Sequence, residues 1–203
     1  MANETVRNFV KEALSNEADA LLSISQHIGE EYEKAIDLIA ACQGKVVVTG
    51  IGKSGHIGKK IAASLSSTGT PSFFVHSAEA VHGDSGMIDK RDVVILLSNS
   101  GETQEVLNLL PIVEKIGAAR IAITKNADST LGRRSDVALT YHYRQEADHL
   151  GLAPTTSALL QLAIGDALAV VLCRMKGFSK EDFYLYHPGG SLGQQLSKET
   201  KQA

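Results

Sequence analysis

Five short apolar runs punctuate the chain: Lys45–Thr49, Thr70–His76, Asp92–Leu97, Arg120–Thr124 and Val137–Tyr141. Each is too short for a core helix and rich in Val, Ile or Phe, as expected of strands buried on both faces of a parallel sheet. Between them the apolar positions switch to helical spacing. Ile57, Ile61, Ala62 and Leu65 form one such stripe, and Val106, Leu109, Leu110, Val113 and Ile116 another. A longer apolar stretch, Ala158 to Cys173, follows the capping cluster Thr155-Thr156-Ser157 and reads as a helix buried on most sides. Ahead of the first strand, Val6, Phe9, Val10, Ala13 and Leu14, then Leu21, Ile24, Ile28, Tyr32, Ala35 and Ile39, predict a helical arm broken at Gly29. Strands alternating with helices at short intervals predict an α/β fold whose parallel sheet is covered on both sides. The organisation expected is an arm over 1–43, packed on its own domain or a neighbouring subunit, a domain over 44–196 and a tail over 197–203.

The junction after the third strand carries the most distinctive chemistry. Ser98-Asn99-Ser100-Gly101-Glu102-Thr103 is a strand-to-helix turn, at the carboxyl end of the sheet where ligands bind in such folds. Free N–H groups and the helix dipole attract an anion there, the hydroxyls of Ser98, Ser100 and Thr103 add donors, and Gly101 lets the backbone come close. The same residues also suit ordinary helix capping. After the first strand, Gly50-x-Gly52-x-x-Gly55 looks like a dinucleotide fingerprint. The second strand, however, ends in Val75-His76 where an acid should hold a ribose, and the spacing to Lys53-Ser54 is too short for a triphosphate loop. A glycine turn with Lys53 and Ser54 suits one sugar phosphate better.

Composition narrows the partners. The 203 residues are 43% hydrophobic and 21% charged with net charge −3, which predicts one globular domain and argues against nucleic acid. Cys42 and Cys173 match no metal or redox spacing, the start Met1-Ala2-Asn3-Glu4 shows no signal peptide, and Gln161, Gly165 and Asp166 interrupt the one long apolar stretch. A cytoplasmic protein without membrane contact is the expectation. Further candidates for chemistry are His76 and His82, with Glu79 and Asp84 beside them; Glu102 and Glu105 on one helix turn; Glu146 after the fifth strand; and His187, held between Tyr186 and Pro188-Gly189-Gly190. A fixed histidine near carboxylates is what proton transfer at neutral pH requires.

Together these blocks resemble the sugar isomerase (SIS) family, and within it the D-arabinose 5-phosphate isomerases. The resemblance runs from about Lys45 to Gly193 through Gly50–Gly58, Ser67–His76, Glu79–Asp84, Ser98–Glu102, Leu150–Thr155, Gly165–Ala169 and His187–Gly190. It departs at Asp148-His149, where the family usually has Cys-Pro, and at Thr156-Ser157-Ala158, where Ser-Ser-Thr is usual. The resemblance implies a flavodoxin-like three-layer α/β/α sandwich with a five-stranded parallel sheet. It implies aldose–ketose isomerisation of a phosphorylated pentose without cofactor or required metal, in a homo-oligomer, commonly a tetramer, whose sites draw on neighbouring subunits. Longer members add a pair of CBS modules. Carried over by position, Lys53, Glu105, Glu146 and His187 are catalytic candidates; His82, Gly69 and Thr70 fall on substrate contacts; His76 falls where an incidental zinc can bind.

The chemistry expected is phosphate anchoring by Ser98, Asn99, Ser100, Thr103 and the helix N-terminus, with Ser54 helping. His187 or His82 opens the ring, Glu105 or Glu146 moves a proton between C1 and C2, and Lys53 steadies the oxyanion. Isomerases of hexulose or heptose phosphates and a non-catalytic phosphosugar sensor are the competing readings.

Overall fold

The structure, a computed structural model, describes residues 2–189; the tail read at 197–203 and the end of the domain read to 196 lie outside the described residues. Two helices come first, α1 (Ala2–Ser25) and α2 (Glu30–Ala40), separated at Gly29. The chain then runs β1 (Val46–Gly50), α3 (Gly52–Ser67), β2 (Ser72–His76), α4 (Ser77–Ala80), a 3-10 turn at Asp84–Met87, β3 (Val93–Leu97) and α5 (Gln104–Ile116). It continues with β4 (Ala119–Thr124), α6 (Thr130–Arg133), β5 (Val137–Thr140), α7 (Thr156–Met175) and α8 (Lys180–Tyr186). The pattern of apolar runs foretells the five strands and the long helices. It does not foretell α4, α6 and α8, which are too short to establish a helical period; a capping box between Ser179 and Asp182 is the signal that α8 does carry.

All strand pairings are parallel, in the order β2-β1-β3-β4-β5. Alternation along the strands divides the interior into two cores. Val46, Val48, Ile95, Leu97, Ile121, Ile123 and Leu139 face α2, α3 and α7, meeting Ile36, Ile39, Ile61, Leu65, Leu160, Ile164 and Leu168. Val47, Val94, Leu96 and Ala122 face the other way, onto Val106, Leu109, Leu110 and Val113 of α5 and Leu131 of α6. The result is the three-layer α/β/α sandwich, and both faces of β1 and β3 are fully covered.

α7 is the one helix among the described residues long and apolar enough to cross a membrane. It is a core helix here: Leu160, Ile164, Leu168 and Leu172 are buried in the first core. The second half of α1 joins that core through Ala20, Leu21 and Ile24, and Asn16 Nδ2 donates to Gln145 O (3.1 Å) and Thr156 Oγ1 (3.2 Å). The first half of α1 leaves Val6, Phe9, Val10 and Leu14 each more than half exposed. At the amino end of the sheet, the buried Asp92 carboxylate accepts from the backbone N–H of Lys45 (2.9 Å) and of Asp89 (2.8 Å), and pairs with Lys45 Nζ (3.0 Å).

Gly165 lies where α7 packs on α3, and a Cβ at that position would overlap the Ile61 side chain. The two helices therefore approach closely only because this residue has no side chain. Gly165→Val is expected to force α7 away from α3 at a cost of roughly 1–3 kcal/mol, read as a fall of a few degrees in the melting temperature followed by circular dichroism.

Candidate active site

The strand order reverses between β1 and β3, which lie side by side while their following helices pack on opposite faces of the sheet. A crevice opens there at the carboxyl ends of the strands. It is a cleft of about 330 Å³ lined by Ile51, Lys53 and Ser54 after β1, by Asn99, Ser100 and Thr103 after β3, and by Pro154, Ser157, Ala158 and Gln161 at the start of α7.

Of the residues that the sequence assigns to phosphate, the structure brings Ser54, Asn99, Ser100 and Thr103 to this cleft, with the ammonium side chain of Lys53. Thr103 is the N-cap of α5 and its hydroxyl bonds to no N–H of the first turn. The N–H groups of Gln104 and Glu105 therefore have no acceptor within the helix. The positive end of a 13-residue helix and the Lys53 charge face the same space.

The structure places Ser98, Gly101 and Glu102 outside the cleft lining, where they brace the turn from behind. Ser98 is buried; its Oγ accepts from Gly101 N (3.0 Å) and bonds Thr103 Oγ1 (2.8 Å). Gly101 has φ +70°, and a Cβ on it would overlap the Ser129 side chain, so its missing side chain serves the packing of the β4–α6 loop rather than approach to a ligand. Glu102 Oε1 accepts from Thr130 N (2.7 Å), a hydrogen bond that holds the carboxyl below its ordinary range, so its charge caps α6.

Glu146, one of the two carboxylates expected to move the proton, is held in place by its neighbours. It is 6% exposed and both its oxygens are occupied. Oε1 accepts from Tyr143 OH (3.0 Å); Oε2 accepts from Thr155 N (2.9 Å), Thr155 Oγ1 (3.3 Å) and Ser157 N (3.1 Å). Burial pushes the carboxyl up, but hydrogen bonds from Ser157, Thr155 and Tyr143 together outweigh it and hold the group below the usual carboxylate range. It is a fixed anion at the N-terminus of α7. Glu105, by contrast, is exposed on the first turn of α5, outside the cleft lining and with no hydrogen bond or ion pair recorded among the described residues.

The remaining candidates fall elsewhere. Gly69 and Thr70 precede β2 and so sit at the amino end of the sheet, away from the cleft; Lys176 Nζ donates to Gly69 O and Thr70 Oγ1, each at 2.8 Å. His187 ends α8 in the same neighbourhood. Its ring stacks on Phe183 with 4.0 Å between centroids, its Nδ1 lies 3.0 Å from Phe183 O, and the adjacent Tyr186 stacks on Phe178, which packs against Gly69. The 20-residue α7, about 30 Å long, separates this end from the chain's own cleft. His82 is exposed in the loop after α4. His76 Nδ1 accepts from Ala78 N (3.3 Å), capping α4, and among the described residues no group of three His, Cys, Asp or Glu could hold a metal ion. Asp148, at the departure from the family pattern, accepts from Leu150 N (3.0 Å), Leu152 N (2.8 Å) and Ala153 N (2.8 Å), so it organises the loop before α7.

Three residues of the site escape the sequence reading. Tyr141 is buried, Tyr143 lies two positions on, and Gln161 lines the cleft from α7. Tyr141 OH donates to Asn99 Oδ1 (3.0 Å) and accepts from Gln161 Nε2 (2.9 Å), while Asn99 Nδ2 donates to Tyr143 OH (3.0 Å). The available signal was the polar Gln161 interrupting an apolar helix, with a pair of tyrosines continuing the alternation of β5 past the sheet.

Comparison with known proteins agrees with the fold. A family model described as SIS domain matches residues 39–171. An arabinose 5-phosphate isomerase of Yersinia pestis, KdsD, is 50% identical over 186 residues, covering 92% of this chain and 57% of its own length. The enzyme of the same name from Pseudomonas aeruginosa is 53% identical over 180 residues, covering 89% of this chain and 55% of its own. The chain thus spans little more than half the length of these relatives. A solved Escherichia coli CFT073 protein in complex with arabinose 5-phosphate superimposes with a TM-score of 0.90 at 46% identity, covering 93% of this chain and 100% of that one.

The Glu146 arrangement has a measurable signature. Its lowered folded-state pKa means that the carboxylate contributes stability above the unfolded-state value, about 4.3, and that the contribution disappears as pH falls through the folded value. Glu146→Gln is expected to lower stability by roughly 1–3 kcal/mol at pH 7, with the gap from wild type narrowing as pH falls below the unfolded-state value, in urea melts across pH.

Proposed function

The chain belongs to the SIS domain family, and on that premise we propose that it is an aldose–ketose isomerase interconverting D-arabinose 5-phosphate and D-ribulose 5-phosphate through a cis-enediol. The observation that carries the reading is the cleft at the β1/β3 reversal, where a helix N-terminus, the hydroxyls of Ser54, Ser100, Thr103 and Ser157, and a lysine converge on one small space. The relatives named arabinose 5-phosphate isomerase, and the solved neighbour holding that sugar phosphate, support the choice of pentose.

In this mechanism the phosphate sits on Ser100, Thr103, Ser54 and the first-turn N–H groups of α5. Fixing it there turns remote binding energy into orientation of C1 and C2. Lys53 balances the charge that develops on the carbonyl oxygen. Glu105 is the carboxylate that moves the proton, since Glu146 has both oxygens committed to hydrogen bonds. Ring opening falls to His187 or His82. His187 lies a helix length from its own cleft, so it serves the cleft of a neighbouring copy, and Gly69 and Thr70 reach substrate the same way. Such a site requires a homo-oligomer, proposed here as a cytoplasmic tetramer, and the exposed Val6, Phe9, Val10 and Leu14 of α1 supply apolar surface for it.

Purified protein given D-ribulose 5-phosphate is expected to form D-arabinose 5-phosphate, followed by NMR, with Glu105→Gln reducing kcat at least a hundredfold. Full turnover by Glu105→Gln excludes it as the base. For the shared site, Lys53→Ala and His187→Ala are each expected to be nearly inactive, and an equimolar co-refolded mixture to regain about a quarter of wild-type activity, because one cleft in four then joins an intact lysine to a neighbour's intact histidine. A mixture no more active than its parts places His187 in the same chain's site or outside it.

A further inference from the structure

The hydrogen-bond chain behind the cleft has a direction, and the direction is imposed from one end. A carboxylate only accepts, so the single proton of Tyr143 OH points to Glu146 Oε1 (3.0 Å). Tyr143 must then accept from Asn99, which puts Asn99 Nδ2 toward it (3.0 Å) and Asn99 Oδ1 toward Tyr141. Tyr141 donates its own proton to that oxygen (3.0 Å) and so accepts from Gln161 Nε2 (2.9 Å). The Gln161 oxygen is what remains. Gln161 is 1% exposed, it lines the cleft, and its Oε1 is buried with no hydrogen-bond partner. The charge of Glu146 therefore decides, four residues away, that the Gln161 nitrogen is the atom engaged by Tyr141 and that the atom left without a partner is its acceptor oxygen. An unpaired buried amide oxygen is costly unless a donor arrives. It disfavours a phosphate or carboxylate oxygen and favours a hydroxyl, while the donors of the α5 turn on the other wall favour the anion.

We infer that Gln161 Oε1 reads a hydroxyl of the bound sugar phosphate, and that Glu146, Tyr143, Asn99 and Tyr141 are positioning residues that hold it as an acceptor. The inference rests on the sugar-phosphate reading of the cleft and deepens it. Gln161 sets which polyol is accepted, through the penalty that a site built for a hydroxyl applies to a ligand lacking one.

The test compares two probes by calorimetry and phosphorus NMR: inorganic phosphate, and D-arabinitol 5-phosphate, which carries the same group on an open polyol chain. Gln161→Met keeps the volume and removes the acceptor. It is expected to weaken polyol phosphate binding roughly ten- to hundredfold and to leave inorganic phosphate within about twofold of wild type. Tyr141→Phe releases the amide without touching the ligand, and should weaken the polyol phosphate alone by a smaller factor; it serves as the test if the methionine variant does not fold. Equal effects on both probes, or none on either, overturn the inference while the phosphate site stands. Wild-type protein that binds neither probe overturns the reading of the cleft itself, and the inference with it.

Discussion

Everything at the site follows from one topological constraint: β1 and β3 are neighbours, yet the helices that follow them leave to opposite faces of the sheet. Neither α3 nor α5 can cover the gap between them, so the carboxyl ends of the two strands stay open. The strands hold this arrangement rigidly because they are buried on both sides. The glycine turn after β1 and the hydroxyl turn after β3 then face each other with no further design. α7 closes the third wall, and its close packing on α3 at Gly165 sets how near that wall comes.

Within this frame the charges are divided between fixed and free. Glu102 and Glu146 are each held as anions by N–H donors at the start of a helix, and each organises backbone rather than awaiting a substrate. Lys53 and Glu105 carry no such ties among the described residues. A cleft built this way keeps its shape through carboxylates held below their usual range, and the proposed proton transfer is assigned to groups without such ties. The network from Glu146 to Gln161 extends the same logic, since a distant fixed charge orients neutral side chains that no charge touches.

The sheet was legible because parallel strands covered on both faces must be apolar at every position, and Val46-Val-Val48 and Val93–Leu97 are. The hydroxyl turn after β3 was legible because hydroxyl residues crowd a strand-to-helix junction. Which hydroxyls line it was not: Ser98 and Ser100 are two apart in a turn, and only three-dimensional packing sends one inward and leaves the other at the cleft. The fixed state of Glu146 is not legible in the sequence because its partners, Thr155 and Ser157, lie nine and eleven residues on across an irregular loop. The place of Gly69 and Thr70 is legible from order alone, since residues that precede a strand of a parallel sheet sit at the end opposite the ligand crevice.

The account stands or falls on where a phosphate binds. A crystal structure of the chain with D-arabinose 5-phosphate measures this directly. The account predicts the phosphate on Ser100, Thr103 and the first-turn N–H groups of α5, with Lys53 beside the sugar and a hydroxyl against Gln161. A phosphate seated elsewhere, for example in the His82 loop or at the amino end of the sheet by Lys176, would contradict it.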